Sequence, residues 1–509
     1  MKVLFLARHF GYLRNFEPVI AALAARGHVL HLAADRPEAS GGQQMVERLA
    51  SSSPSITWGW TPKRDADPWL GLATRLRLGL DNLRYYDPIY DESPRLRARV
   101  DERTPYAVMR ALRVPGLAAP TSRAMAGALL RRLERAVPVD PALVAYLRGI
   151  APDAVILTPV VDLGSPQTDL LRAAQQAGLR TAIGVGSWDH LSSKAVIRDA
   201  PDRVFVWNDT QRREAIDMHG LAADRVVVTG AQCYDRWFDR QPSRSHAEFC
   251  QRAGLPADRP FVLYACSSLF RGSPPEPRAT LAWLEALRAS ASPGLRDVPV
   301  LIRPHPARAA EWDGVDVSRF GPVTVWGGYP IDEQSRADYF DALYHAAAVV
   351  GLNTSAFIEA GIAGRPVLTF IHPDFWENQT GTLHFKYLVD GGLLDVAHDF
   401  DTHLRQLDAA LGGDPSRDRR LRFVETFVRP HGLAVSATDR FADAVEAWVA
   451  EPAPAPRGVT THGPARGALT ALRAWARTPH GERWLSDARE RQKRAARAGG
   501  APPRARARA

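Results

Sequence analysis

The stretch Gly351-Leu-Asn-Thr-Ser-Ala-Phe-Ile-Glu-Ala-Gly-Ile-Ala-Gly-Arg-Pro-Val-Leu-Thr-Phe370 reads as strand end, polar turn, helix, Gly-Arg-Pro stop and a second strand. Such an α/β step places Asn353, Thr354 and Ser355 at a helix N-terminus, where free N–H groups and the macrodipole favour a phosphate. An ordinary N-cap accounts for Ser and Thr there equally well. A capping box would need an acid three residues after Ser355, and that position is Ile358. Glu359 stands four residues on instead, which stacks its carboxylate on the helix face of the Ser355 hydroxyl. A carboxylate one turn inside the helix suits two ribose hydroxyls, with a phosphate held at the tip.

Upstream, Val298-Pro-Val-Leu-Ile-Arg-Pro-His-Pro-Ala-Arg308 is a buried strand that delivers Arg303 and His305 to its carboxyl edge. Open α/β sheets bind ligands at that edge, and Pro304 and Pro306 fix the backbone around the imidazole. The same rhythm extends through strands expected at Phe261–Ala265, Val323–Trp326, Ala348–Gly351 and Pro366–Phe370. A first α/β series opens the chain: the apolar run Lys2–Ala7, a helix closed by Gly27, and a strand at Val29–Ala34. It resumes with strands at Ala154–Leu157, Thr181–Val185, Val204–Trp207 and Val226–Thr229. Between the two parts lies an arginine-rich helical insertion, about residues 60–140. The fold class expected is therefore α/β with two Rossmann-like doubly wound domains: residues 1–240, an acceptor domain carrying the insertion, and residues 241–450, a nucleotide-donor domain. Gln241–Arg259 reads as the connection. Residues 451–509 read as a basic, partly disordered tail that begins with a Pro/Ala spacer and ends in the low-complexity run Pro502–Ala509.

A chain of 509 residues is too long for one hydrophobic core, and 45% hydrophobic with 24% charged residues is a globular composition. Residues 451–509 hold 13 Lys and Arg against four Asp and Glu, which is the whole of the net +9. The folded body is thus neutral, and no nucleic-acid partner is expected of it. The tail cations Arg489, Arg491, Lys493, Arg494, Arg497, Arg504, Arg506 and Arg508 suit an anionic membrane surface or simply a solvated end. Cys233, Cys250 and Cys266 show neither metal-ligand nor disulfide spacing, so a cytoplasmic protein is expected, at the inner face of the membrane if the tail binds lipid. The run at Lys2–Ala7 stops at Arg8, which fits a first strand better than a signal peptide. No apolar run is long enough for a transmembrane helix.

The His-Pro after a strand, followed about fifty residues later by a Thr/Ser turn, Glu and Gly-Arg-Pro-Val, resembles the C-terminal domain of GT-B glycosyltransferases. It looks closest to the branch holding CDP-glycerol glycerophosphotransferases, capsule Kdo transferases and polysialyltransferases. Val226–Asp235 resembles the strand and turn before that superfamily's domain crossover, and the helix after Val435 its returning C-terminal helix. The resemblance implies that His305 and Ser355 hold the donor phosphate, that Glu359 binds ribose, and that Glu377 and Gln379 meet the donor sugar's hydroxyls. Retaining enzymes of the Glu-x7-Glu type carry a Glu where this chain has Gly351, which argues against that type. The resemblance implies a nucleotide-sugar or CDP-polyol donor as substrate, a glycan or lipid-linked acceptor, no cofactor and no essential metal.

An inverting transfer needs a base in the first domain. One candidate is His9, in the loop Arg8-His-Phe-Gly-Tyr-Leu-Arg14, where an imidazole titrates near neutrality. Aligned on Gly27, related transferases have their His at Tyr12, three residues away. The rival is Gly184-Val-Gly-Ser-Trp-Asp-His-Leu-Ser-Ser-Lys194, with Asp189 and His190 adjacent and Ser192, Ser193 and Lys194 able to meet an anion. The pairs Asp65/Asp67 and Asp399/Asp401 have metal-ligand spacing that occurs commonly by chance. Transfer from a nucleotide donor is the leading function; a nucleotide-sugar 2-epimerase and a non-catalytic scaffold on the same fold are the competing ones.

Overall fold

A computed structural model describes residues 1–39, 41–114, 116, 119–457 and 463–498. Seven parallel strands form the first sheet: β1 (Lys2–Ala7), β2 (Val29–Ala34), β3 (Ile56–Trp60), β4 (Ala154–Thr158), β5 (Arg180–Gly184), β6 (Arg203–Val206) and β7 (Val226–Val228). Their order is β3-β2-β1-β4-β5-β6-β7, so the direction of winding reverses between β1 and β4. Six parallel strands form the second: β8 (Val262–Ala265), β9 (Val300–Arg303), β10 (Val323–Val325), β11 (Ala348–Gly351), β12 (Val367–Phe370) and β13 (Asp395–Ala397). Their order is β10-β9-β8-β11-β12-β13, with the switch between β8 and β11.

The central strands of both sheets are buried on both faces, which is why they are continuous apolar runs. Val3, Phe5 and Ala7 pack to one side of the first sheet and Leu4 and Leu6 to the other. In the second sheet Leu263 and Val349 face one core, and Val262, Tyr264 and Val350 the other.

The chain crosses between domains twice, and one carboxylate ties the crossings together. Buried Asp235, on the outward crossing, accepts from Arg429 Nε and Nη2 at 3.0 and 2.8 Å, from Ser436 Oγ at 3.1 Å and from the Ala437 N–H at 3.2 Å on the return. The last helix of the body, Ala437–Ala450, then lies on the first domain: Phe441 packs 4.7 Å from Phe205 and 5.9 Å from Phe16. A boundary at residue 450 puts this helix in the second segment; its packing puts it on the first domain.

The insertion consists of helices Leu70–Arg84, Pro94–Asp101, Tyr106–Ala111 and Pro120–Arg135. Its buried Arg77 pairs with Glu134 at 2.7 Å and with Asp169, which fastens it to the sheet domain. Two differences from the sequence reading concern the connection and the tail. Gln241–Arg259 is no bare linker: it holds the helix His246–Ala253, started by a capping box of Ser245 and Glu248. Residues 463–498 are three helices, Gly463–Ala476, Pro479–Leu485 and Ala488–Ala498. The first of these buries Ala465 and Leu469 against Leu72, Leu76 and Val137 of the insertion. Pro502–Ala509, with Arg504, Arg506 and Arg508, lies outside the described residues, as do the Arg494 and Arg497 side chains. Among the described residues, no helix is long and apolar enough to cross a membrane.

Candidate functional site

The carboxyl ends of β1, β5 and β6 face those of β8, β9 and β11 across a cleft with a cavity of about 500 Å³. Of the residues proposed from sequence, the cavity gathers Asp189, His305, Asn353, Thr354, Ser355 and Glu359.

His305 follows β9, and its Nδ1 accepts the Ala307 N–H at 3.2 Å. The neutral ring then carries its proton on Nε2 as a donor. Burial, with the neighbouring Arg308, lowers its pKa and keeps that form at neutral pH. Ser355 is exposed to the cleft and makes no capping bond. The first-turn N–H groups are not free as expected: Ala356 donates to Thr354 Oγ1 at 3.3 Å, Phe357 to Thr354 O and Ile358 to Ser355 O. The Ser355 hydroxyl is an open group at this tip. Asn353 is braced by its own N–H on Ser267 Oγ (3.0 Å) and its Nδ2 on Asn378 O (2.5 Å), while its buried Oδ1 has no protein partner.

Glu359 receives the Tyr339 hydroxyl. Burial pushes its pKa up to about 7, against the pull of Tyr339, Arg236 and Arg303. Arg303 itself does not line the cavity. It is buried, donates to Gly328 O at 2.7 Å and lies 4.7 Å over the Tyr339 ring, behind Glu359. The reason Gly351 is glycine is also steric: a Cβ there would meet Ala265 O at 2.5 Å, so no carboxylate fits where the Glu-x7-Glu pattern would place one.

Two donor-side expectations fail. Gln379 is fully buried, its Nε2 donating to Phe370 O at 2.8 Å and Leu352 O at 3.2 Å while its Oε1 accepts from the His372 N–H. That amide ties the ends of β11 and β12 together and has no capacity left for a sugar. Glu377 is held by Arg95 of the insertion at 2.5 Å and does not line the cavity. Its neighbour Asn378 does, accepting the Phe270 N–H at 2.6 Å.

On the opposite wall, Asp189 follows β5 through a glycine-rich turn. A Cβ at Gly184 would come within 2.8 Å of the Phe16 ring, which is why the turn can pass there. Burial alone would raise the Asp189 pKa; the Lys194 ammonium at 3.4 Å, with His190, His384 and the Ser187 hydroxyl, overrides it and holds the carboxyl well below the usual range. His190 is buried, lies outside the cavity lining and has its pKa pushed down to about 4 by burial, which outweighs Asp189. His9 also lies outside the lining, its ring tilted against that of Tyr12 at 4.4 Å, with burial lowering its pKa.

The cavity holds residues that no local motif reveals. Arg99 comes from the insertion, Arg236 from the interdomain crossing and His384 from the helix Leu383–Asp390. Arg99, Arg236 and Lys194 set three cations against the two carboxyl groups of Asp189 and Glu359. His384 packs edge-on to Trp188 at 4.7 Å, and burial holds its pKa down to about 4 despite Asp189.

Two facing doubly wound domains with a cleft between their carboxyl edges define the architecture. It is the GT-B fold. The same fold occurs in a glycosyltransferase from Rickettsia africae, with a TM-score of 0.50, 10% identity, and 89% of this chain and 99% of that one covered. A putative UDP-N-acetylglucosamine 2-epimerase from Listeria monocytogenes matches with a TM-score of 0.51, 13% identity and coverage of 89% and 97%. A UDP-GlcNAc 2-epimerase from Methanocaldococcus jannaschii matches with a TM-score of 0.50, 11% identity and coverage of 88% and 100%. At these identities the likeness is one of GT-B fold. No protein-family model and no curated protein matches the chain.

Proposed function

We propose that this protein is a GT-B glycosyltransferase that moves a sugar or polyol phosphate from a nucleotide-activated donor to a surface-glycan or lipid-linked acceptor. The observation that carries the reading is the convergence of His305, Ser355 and Glu359 with three cations in one interdomain cavity. In this reading His305 Nε2–H and the Ser355 hydroxyl donate to the donor phosphate, and Glu359 accepts from the ribose hydroxyls. Arg99, Lys194 and Arg236 neutralise the charge that grows on the leaving phosphate, a task preorganised cations perform in a water-poor cleft without a metal. Asp189 is the acceptor-side carboxylate, since it lines the cavity whereas His9 and His190 do not. Resemblance of the His-Pro and Thr-Ser-x3-Glu motifs to the CDP-glycerol, Kdo and polysialyl branch favours a CDP- or CMP-linked donor.

The proposal extends to the membrane. Met125 and Leu129 on the helix Pro120–Arg135 are 74% and 60% exposed and stand one turn apart. Exposed Arg131, Arg132 and Arg135 follow them, while Glu134 is buried on Arg77. The insertion face thus matches an anionic bilayer, which suits a lipid-linked acceptor and a cytoplasmic, membrane-apposed enzyme.

The test is a thermal-shift screen of the full chain against UDP-, GDP-, TDP-, CDP- and CMP-linked compounds, followed by product analysis. Stabilisation by one nucleotide class, lost in His305→Ala, supports the donor site. No stabilisation by any class rejects it in favour of a scaffold, and an isomerised nucleotide sugar without transfer would make the protein an epimerase.

A further inference from the structure

A second cavity, of about 630 Å³, lies wholly in the first domain, at the carboxyl ends of β1, β2, β3 and β4 and under the insertion. It is separated from the main cleft by one short turn, Phe10–Phe16, which has a residue in each: Tyr12 lines the second cavity and Asn15 the first. Tyr12 donates to Asp162 at 3.3 Å, and its ring lies 6.1 Å from His190, beside Asp189.

The charges around this second cavity fall into two sets. Arg8 is committed to Asp35 at 3.4 Å and Asp162 at 3.9 Å, and Arg64 to Asp169 at 2.7 Å, Asp140 at 3.7 Å and Asp67. Both guanidiniums are engaged by these carboxylates. Arg36, Lys63 and Arg103 remain, and among the described residues none of them is in an ion pair with a carboxylate. Arg36 and Lys63 are exposed at the rim; Arg103 is half-buried and donates to Leu163 O at 3.1 Å. Burial, reinforced by Arg489, lowers the Arg103 pKa against the pull of Asp162, Asp81 and Asp487. The lining as a whole sets five cations, Arg8, Arg36, Lys63, Arg64 and Arg103, against three carboxylates, Asp35, Asp65 and Asp162, over an apolar floor of Leu70, Leu143 and Leu170, so positive charge is in excess.

We propose that this cavity binds an anionic group, a phosphate or a carboxylate, through Arg36, Lys63 and Arg103, and that the group belongs to the acceptor. The second half rests on the transferase reading; the anion site does not. An acceptor anchored there would reach past Tyr12 towards Asp189. A phosphate would come from a lipid-linked acceptor, and a carboxylate from an acidic glycan.

The test is calorimetric titration of the full chain, in a His305→Ala/Ser355→Ala background that disables the main cleft, with inorganic phosphate, with glucuronate and with glucose as neutral control. At least one anion should bind while glucose does not, and R36A/K63A should weaken that anion by about tenfold for each cation removed. R103Q should weaken it as well, and circular dichroism checks that each variant is folded. Tighter binding of phosphate or of glucuronate identifies the source. Loss of all anion binding in the background double variant, or R36A/K63A binding as tightly as that background, would overturn the proposal. A failed nucleotide screen with surviving anion binding would reject the transferase reading and leave this site standing.

Discussion

At the scale of single residues, Glu359 makes the strongest claim. Its carboxyl is pushed up to about 7 by burial, so it changes charge within the working range. If the ionised form accepts the ribose hydroxyls, donor affinity should rise between pH 6 and pH 8, and Glu359→Gln should flatten the profile. Titrations at several pH values check this, and an unchanged slope in the variant removes Glu359 from the site. Stability of the ligand-free protein should run the other way. The folded state holds the proton more tightly than the unfolded chain, whose value is near 4.5, so this contribution is full below pH 4.5 and is lost as pH rises through 7. Wild type minus E359Q in thermal unfolding isolates that term from Glu276 and Glu214, which burial raises in the same direction. Asp189 gives the contrast: held ionised by Lys194 and its neighbours, it should impose no acid limb near neutrality. An acid limb below the usual imidazole range that survives in E359Q would point to a histidine such as His9 instead, whose pKa burial lowers.

At the scale of elements, the cleft loop after β8 depends on a residue outside the cavity lining. Buried Glu276, raised to about 8, accepts the Ser267 N–H at 2.7 Å, and Ser267 Oγ accepts the Asn353 N–H. Being protonated at pH 7, Glu276 should tolerate Gln, whereas Ala leaves the Ser267 N–H buried without a partner, a cost of about 1–3 kcal/mol. Urea unfolding of E276Q and E276A reads this, with E276A also loosening donor binding through Asn353. Elements differed in how plainly their sequences announced them. The strands β1, β2, β4, β5 and β6 are apolar runs buried on both faces, and the pattern is unmistakable. Two edge strands, β3 with Thr57 and Gly59 in Ile56–Trp60 and β13 with three residues, carry too little apolar signal. The helix His246–Ala253 was legible in Ser245-x-x-Glu248, masked by the polar, proline-containing stretch around it. The place of His305 and Ser355 on the cavity wall is legible because each sits at a strand end within a compact local motif. Gln379 and Glu377 rest on position more than on motif, and local hydrogen bonding and Arg95 have other uses for them.

At the scale of the whole molecule, sequence order hides what the fold assembles: Arg99, Arg236 and His384 come from three distant segments, and no spacing links them. The basic tail is the other case. Its net charge suggested a free end, yet Leu469 and Ala465 dock its first helix on the insertion, beside the helix that exposes Met125 and Leu129. Membrane affinity, if that face provides it, must combine two physically separable terms. Cations near an anionic surface contribute about 1 kcal/mol each and are screened by salt over a Debye length of ~8 Å at physiological strength. Apolar side chains entering the acyl boundary contribute with the area they bury and are not screened. Full-length protein should therefore co-sediment with phosphatidylglycerol vesicles and not with neutral ones, and should keep a residual bound fraction when salt is raised to about 1 M. Met125→Glu/Leu129→Glu should abolish that residue and weaken low-salt binding several-fold, while leaving the nucleotide-induced thermal shift intact because neither side chain approaches the cleft. Binding that vanishes completely in salt and ignores the double substitution would move the contact from the insertion face to the cations beyond residue 498.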